Sequence, residues 1–595
     1  MLLVAALSPN DMSEGDSALT LIAAQSLCEH GNFDLSPYQS DPRFHYDLDN
    51  DYRVRNRAGG DFYYNIGSPI AMAPVVCLAR SFGLDMVEPD DERMIQNLIS
   101  ALLCGIAFGL SVLLLRTLVS DGAALVMSSV SVLGSPLIST SATALWSQSI
   151  ALPLMLAVLL ATVRCDPETE PEGRFTLGRL LVIPPLLLAA FLCRPTTGFL
   201  TLGVLAWLAC RLRIIFVNRR TAGEGPPSFI RIGQELAIRC RNHRLLCAAT
   251  LLVAALLAII ALAWLLSFLP HYYQPTRLLP RISPWFGLYA VLLSPSRGLL
   301  VFCPFLVVLL TGLVIASRRL DHRPLLILAA VWSVSHLAAL SVRSVWWGGH
   351  SFGPRLAAEV VLAALIPTAI AWKALVSNTG EDARPKPRAR RWAMAYLLAG
   401  GLAVVIHTGQ GLFNPSVKRW NYLPDVDTHQ KLLMSWRYPQ FLATERQVAA
   451  RSLDIQRQRL KPYAWGELIA ADSSNAVFAG WYQSQGPRRW SQGNAARLEI
   501  LLPRESENDE YYLTIRASGL KTQHVTVSIN GSVAGTLNLS HPPATHSLRL
   551  VASDLRLGKI NHLDFDIPDA RRPDNGDPRV LGIDYRWCRI IPESP

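Results

Sequence analysis

Five long stretches almost free of charge constrain this chain more than any other feature: Ile95 to Leu115, Leu246 to Phe268, Leu299 to Ala316, Leu325 to Val342 and Leu356 to Ala374. About 20 apolar residues in a helix cover the hydrocarbon core of a bilayer, and these stretches meet or approach that length. With half of the 595 residues apolar and only 17% charged, the chain is too greasy for an ordinary soluble domain or a disordered one.

Where the charges sit decides what the net charge of +11 means. A nucleic-acid face groups Lys and Arg on one soluble surface. Here the basic runs Arg211 to Arg244, Ser317 to Arg323 and Arg384 to Arg391 fall between apolar spans, as cytoplasmic loops do, so nucleic acid is excluded as a partner. With those loops inside, crossings are predicted near 94–115, 122–140, 147–163, 178–193, 197–210, 246–268, 299–316, 325–342, 356–374 and 393–411. Residues 9–92 then form the first extracytoplasmic loop, and the loops near 141–146, 194–196, 269–298 and 343–355 and the tail after 412 share its side. Met1 to Ser8 reads as the stump of a truncated first helix, and Ile70 to Phe82 as a helix at the membrane surface. The expected fold is an α-helical polytopic membrane protein of about ten full spans with a C-terminal all-β sandwich.

The β expectation comes from a change of period. After Leu412 the sequence turns polar, and residues 413–464 read as a linker with helical pattern. From 465 to 595 short alternating strands appear, as in Tyr511–Arg516, His524–Asn530 and His562–Ile567. Asn530-Gly531 is a hairpin signal, because both residues tolerate positive φ. The ten cysteines hold no C-x-x-C pair and fall mostly in or beside apolar spans, which fits packing; Cys28 and Cys77 share the outer side, which permits a bridge.

Chemistry-bearing residues gather on that outer side. Glu14-Gly15-Asp16 opens an apolar helical pattern at Leu19, Ile22, Ala23, Ser26 and Leu27, which places Asp16 at a helix N-terminus beside the bilayer. Asp16 can act there as a cap, or as a general base that takes a proton from an attacking hydroxyl. Asp61, Tyr63 and Tyr64 lie in the same loop. The run Trp346-Trp347-Gly348-Gly349-His350-Ser351-Phe352-Gly353-Pro354-Arg355 joins two spans; its Trp pair suits an interfacial belt or a sugar contact. Its glycines let backbone N–H groups approach a ligand, and Arg355, with His350 beside it, suits a phosphate. Arg194 and Arg297 stand at other outer span ends, where snorkelling competes with anion binding. The loop 269–284 adds His271, Tyr272, Tyr273, Arg277 and Arg281. Asp47-Leu48-Asp49-Asn50-Asp51 has Tyr52 where a calcium loop needs glycine, so no metal is assigned. The phosphate-loop and dinucleotide fingerprints are absent, and no cofactor is expected.

Glu14-Gly15-Asp16, Ser26-Leu27 with Gly31, Tyr63 to Pro69, Leu145-Trp146-Ser147-Gln148, Arg194-Pro195-Thr196, Ser294 to Gly298 and the Trp346–Arg355 run occur in one order outside the membrane. In that set residues 1–412 resemble the polytopic lipid-phosphate-sugar glycosyltransferases of the GT-C class, which include protein O-mannosyltransferases and the aminoarabinose transferase of lipid A. The resemblance implies a polyprenyl-phosphate sugar donor, a glycan or protein acceptor, inversion at the anomeric centre and a bacterial inner-membrane location. It makes Asp16 the catalytic candidate, with Glu14 the other because the acidic pair of that class is here Gly15-Asp16. Arg355, Arg297, Arg194 and His350 become candidates for the donor phosphate, and Tyr63, Tyr64, Asp61, Tyr272 and Trp347 for the substrate. The sandwich looks like a carbohydrate-binding module, with Trp490, Asp577-Pro578-Arg579 and Leu581-Gly582 as either ligand or packing residues. Two other classes compete with it: a transporter of polyprenyl-linked glycan, which ionisable groups in the middle of spans would mark, although few exist here and the charges sit at span ends, and an inactive glycan-binding scaffold.

Overall fold

The computed structural model describes Ser8 and residues 16–44, 65–169, 177–221, 282–377, 387–506 and 508–592. The expected span 246–268, the stump before Ser8, the Asp47 to Asp51 run and the loop 269–281 lie outside these residues. The chain divides into two compact units, Met1–Thr444 and Glu445–Pro595. The division falls inside the expected linker 413–464.

The first unit is helical: α1 Asp16–His30, α2 Gly67–Ser81, α3 Pro89–Arg116, α4 Asp121–Leu133, α5 Ser147–Arg164, α6 Leu177–Cys193, α7 Gly198–Thr221, α8 Pro284–Leu293, α9 Phe305–Ala316, α10 Arg323–Ser341, α11 Ala358–Ala363, α12 Leu365–Trp372, α13 Pro387–Val404 and α14 Ser416–Tyr422. Among the described residues, six segments are long and apolar enough to cross a membrane: Pro89–Arg116, Ser147–Arg164, Pro195–Ile214, Arg323–Ser341, Arg355–Val376 and Pro387–Leu412. Asp121–Leu133, Leu180–Cys193 and Pro284–Leu293 are shorter apolar helices.

Two expected spans are broken, and proline accounts for both breaks. The stretch 299–316 forms a single turn at Leu299–Phe302, interrupts at Cys303-Pro304 and resumes as α9. In 122–140, α4 stops at Gly134, and a new turn starts at Pro136, where the Ser135 hydroxyl accepts from the Leu137 N–H. Proline has no N–H to give to the preceding turn and its ring crowds that turn's carbonyl. Helix α5 lies at the centre of the unit: 78% of its apolar window is buried, against 39% for α3.

Helix α1 buries more than the one face its pattern predicts. Ser17 and every residue from Leu19 to Ser26 are buried, and a helix apolar or small all round is a core helix. A disulfide between Cys28 and Cys77 ties it to α2. Beside that bridge Arg80 pairs with Glu29 and, at 3.5 Å, with Asp85, which Arg43 also meets at 3.1 Å. Burial pushes the Asp85 carboxyl up, but the Gln25 amide, the Val87 N–H and the two guanidiniums outweigh it and hold it below the usual range.

The second unit opens with α15, Glu445–Arg459, whose Arg457 grips the buried Glu499 through two 2.6 Å hydrogen bonds. Two antiparallel sheets follow. Strands β1 (Ile469–Ala470), β10 (Ile583–Pro592), β5 (Glu510–Gly519) and β8 (Ala544–Val551) are neighbours in one, with β3 (Arg489–Trp490) also on β10. The other runs β2 (Val477–Ala479), β4 (Ala495–Leu501), β9 (Ile560–Asp566), β6 (Gln523–Ile529) and β7 (Ser532–Leu539). Alternate residues such as Leu498, Ile500, Leu513, Ile515, Val525 and Val527 fill the core between them. The β6–β7 hairpin turns at Asn530-Gly531, both at positive φ.

Candidate active site

Several of the motif residues come together at helix ends. Helix α1 begins at Asp16, and the carbonyl of the next residue, Ser17, accepts from the Gln96 amide of α3 at 3.3 Å. The same amide nitrogen donates to Glu92 at 2.6 Å, and the Gln96 oxygen accepts from the Leu145 N–H at 3.1 Å. Leu145 precedes Trp146, and the Arg355 guanidinium stands over that indole, 3.6 Å from its centroid. One buried amide thus ties the start of α1 to the aromatic platform that carries Arg355.

Polar groups near these elements keep unused capacity. Among the described residues, the buried Trp146 Nε1, Gln148 Oε1, Asn65 Oδ1 and Ser68 Oγ have no hydrogen-bond partner. Buried polar atoms in native proteins are nearly always paired, with protein, water or ligand. Asn65 and Ser68 flank the start of α2, which abuts the end of α6. A Cβ on Gly67 would overlap the Leu192 and Cys193 backbone, so only glycine fits there.

The other predicted cations sit in different surroundings. Arg297 is buried, and its five N–H groups meet five neutral acceptors: the carbonyls of Trp347 (3.1 Å), Ser296 (2.8 Å) and Gly349 (3.3 Å), Asn421 Oδ1 (2.8 Å) and Gln440 Oε1. Gln440 also accepts from the Gly353 N–H and donates to the Ser351 carbonyl. Arg297 therefore clamps the Trp346–Arg355 loop onto residues 416–440, and every donor that a phosphate would need is engaged. Arg194 donates to Glu359 at 2.6 Å, with Thr196 on the same carboxylate oxygen and His336 Nδ1 3.3 Å from the other. His350 bonds Asp425 at 2.9 Å and stacks on Tyr422 at 4.6 Å. Trp347 is buried, as is Trp346, and donates to Asp427 at 2.7 Å, so this pair is packed inside protein and forms no lipid-facing belt. Gly348, Gly349 and Gly353 all have positive φ, and a Cβ on Gly353 would strike the Phe302 ring.

Glu14, Asp61, Tyr63, Tyr64 and Tyr272, and the side chain of Asp16, lie outside the described residues. Among the described residues, several buried ionisable groups escaped the sequence reading, Glu92, Glu359 and His336 among them. Glu92 reads there as the last residue of an exposed loop, yet it is buried against Gln96. Glu359 and His336 lie within apolar spans, and an ionisable residue inside such a span is itself the signal that was available.

No family model matches the sequence, and the comparison with curated proteins returns no match. Among solved structures the chain is similar to the archaeal oligosaccharyltransferase AglB from Archaeoglobus fulgidus in complex with an inhibitory peptide and a dolichol-phosphate. The two share 13% identity at a TM-score of 0.38 over 74% of this chain and 60% of that one, so this chain spans less than two thirds of it. A family 35 carbohydrate binding module from Clostridium thermocellum is similar over 22% of this chain and 100% of its own, at 10% identity and TM-score 0.16. The Podospora anserina GH26-CBM35 β-(1,4)-mannanase is similar over the same 22% and 28% of its length, at 13% identity and TM-score 0.16. Among the described residues the chain is mostly helical, with six helices long and apolar enough to cross a membrane, and carries a C-terminal β domain, an architecture consistent with a membrane protein.

Proposed function

We propose that this protein is an inverting glycosyltransferase that moves a sugar from a polyprenyl-phosphate donor to a hydroxyl of a cell-envelope glycan or protein. In this reading the helical unit catalyses transfer at the extracytoplasmic face of a bacterial inner membrane, and the β unit is a carbohydrate-binding-like module on the same side. The observation that carries it is the link from the start of α1 through Gln96 and Trp146 to Arg355. It joins the segment bearing the candidate base, Asp16, with Glu14 just before it, to a cation suited to a departing phosphate. A preorganised cation at a site of low dielectric stabilises the charge that develops on the leaving group. Nucleotide sugars are not available outside the cytoplasm, so a transferase facing outward needs a donor carried in the bilayer.

Arg355→Ala tests the reading. Loss of a charge-assisted phosphate contact costs about 1.5–3 kcal/mol, so kcat/KM for a synthetic polyprenyl-phosphate sugar falls roughly ten- to a hundredfold in the folded variant, while loss of the contact with the Trp146 ring lowers stability by about 0.5–2 kcal/mol. Unchanged kcat/KM in the purified variant removes Arg355 from the site. A transporter of lipid-linked glycan is the second reading, and the buried Arg194–Glu359–His336 cluster favours it, because ionisable groups inside spans often line transport paths.

A further inference from the structure

We propose that the β unit binds an acidic saccharide, a sugar ring bearing a carboxylate or phosphate, in a cleft on the outer face of the sheet formed by β1, β10 and β5. The cleft, of about 540 Å³, is open to the surface and is lined by Trp587, Arg516, Arg586, Ala470, Asp472 and the Gly486-Pro487 pair. It does not depend on the transfer reaction.

Register builds the cleft. Trp587 of β10 pairs with Arg516 of β5 on one side and with Ala470 of β1 on the other. Ala470 has no side chain long enough to cover the indole, so space opens over the ring on that flank while Arg516 stands on the other. The register of β10 against β5 shifts between Tyr585 and Trp587, so Arg586 is left without a partner in the ladder and lines the cleft with its neighbour Trp587. A strand without such a bulge would send these neighbours to opposite faces.

The chemistry fits a ring with negative charge. An aromatic face offers a flat apolar surface to the C–H side of a pyranose, and the guanidiniums offer paired N–H donors to an anion. Arg516 is exposed. Arg586 is held by Asp584 at 2.8 Å through one terminal nitrogen, and its Nε is buried with no hydrogen-bond partner among the described residues. The Arg589 guanidinium lies 5.9 Å from the Trp587 ring, with its Nε likewise unpartnered among them. Of the charged residues that line the cleft, Arg516 and Arg586 outnumber Asp472, whose carboxylate offers an acceptor to sugar hydroxyls. The sequence singled out Trp490 for this unit instead. Trp490 sits on β3, opposite Asp584, and does not line the cleft.

The test is calorimetric titration of the full-length protein in detergent with trigalacturonate, its methyl ester, a hexose phosphate and inorganic phosphate. At least one acidic saccharide binds about tenfold or more tightly than the uncharged ester and than inorganic phosphate. Arg516→Gln weakens that binding about tenfold or more, and Trp587→Ala does the same. Arg516 is exposed, so its variant stays informative should Trp587→Ala fail to fold. Which acid binds identifies the anion as carboxylate or phosphate. Binding by neither acid, equal binding of the ester, equal binding of inorganic phosphate, or unchanged binding in Arg516→Gln overturns the proposal.

Discussion

Residue type alone does not separate a ligand-binding arginine from a structural one; its acceptors do. Arg194, Arg297 and Arg355 all stand at the ends of expected spans, and the sequence offers no ground to rank them. In the structure Arg297 is saturated by five acceptors and Arg194 is held by a buried carboxylate, which makes both structural; Arg355 lies over the Trp146 indole face. Arg297→Met should therefore act on stability. It leaves several buried carbonyl and amide oxygens without donors, each costing about 1–3 kcal/mol, so the total loss is about 3 kcal/mol or more. Thermal unfolding in detergent reads this as a large fall in the midpoint, and donor KM in the protein that stays folded is near that of wild type. A normal melting temperature with a raised donor KM would return Arg297 to the phosphate site. Glu92 and Glu359 were hidden from the sequence because burial of a carboxylate depends on what the fold packs over it: Gln96 stands one helical turn from Glu92, a spacing the sequence does offer, but Arg194 is 165 residues from Glu359.

At the scale of elements, period and turn chemistry were legible and continuity was not. The Asn530-Gly531 hairpin and the strands at Glu510–Gly519 and Ile560–Asp566 follow from alternation and left-handed turn residues, which are local properties. Hydropathy, by contrast, runs straight through Pro304 and Pro136, where hydrogen bonding cannot, so two expected spans contain breaks. The pairing of α1 with α2 is a long-range property that composition only permitted. Its disulfide closes a loop between Cys28 and Cys77, 49 residues apart, and limits the unfolded chain. Cys28→Ser with Cys77→Ser should cost about 2–4 kcal/mol of stability in this region. Limited proteolysis reads it as faster cleavage between the two positions; an unchanged rate would mean that the Glu29, Arg80 and Asp85 contacts suffice without the bridge.

For the whole molecule, greasy spans with basic loops between them made the membrane class readable, and the change of period after Leu412 made the β domain readable. The boundary was not. Residues up to Thr444 belong with the helical unit because Asn421 and Gln440 complete the Arg297 clamp, a role their polar composition conceals. The central claim concerns what this assembly does to a lipid-linked sugar, and the fate of that sugar separates transfer from transport. Purified full-length protein in liposomes, given polyprenyl-phosphate sugar and an acceptor, should release polyprenyl phosphate and glycosylate the acceptor. Asp16→Asn should lower that turnover about 10²–10⁴-fold with donor still bound, because Asn keeps the shape and capping ability of Asp but cannot take the proton. Loss in Glu14→Gln with normal turnover in Asp16→Asn would assign the base to Glu14. Intact sugar-lipid crossing the bilayer without release, or near-normal turnover in both variants, would contradict the account.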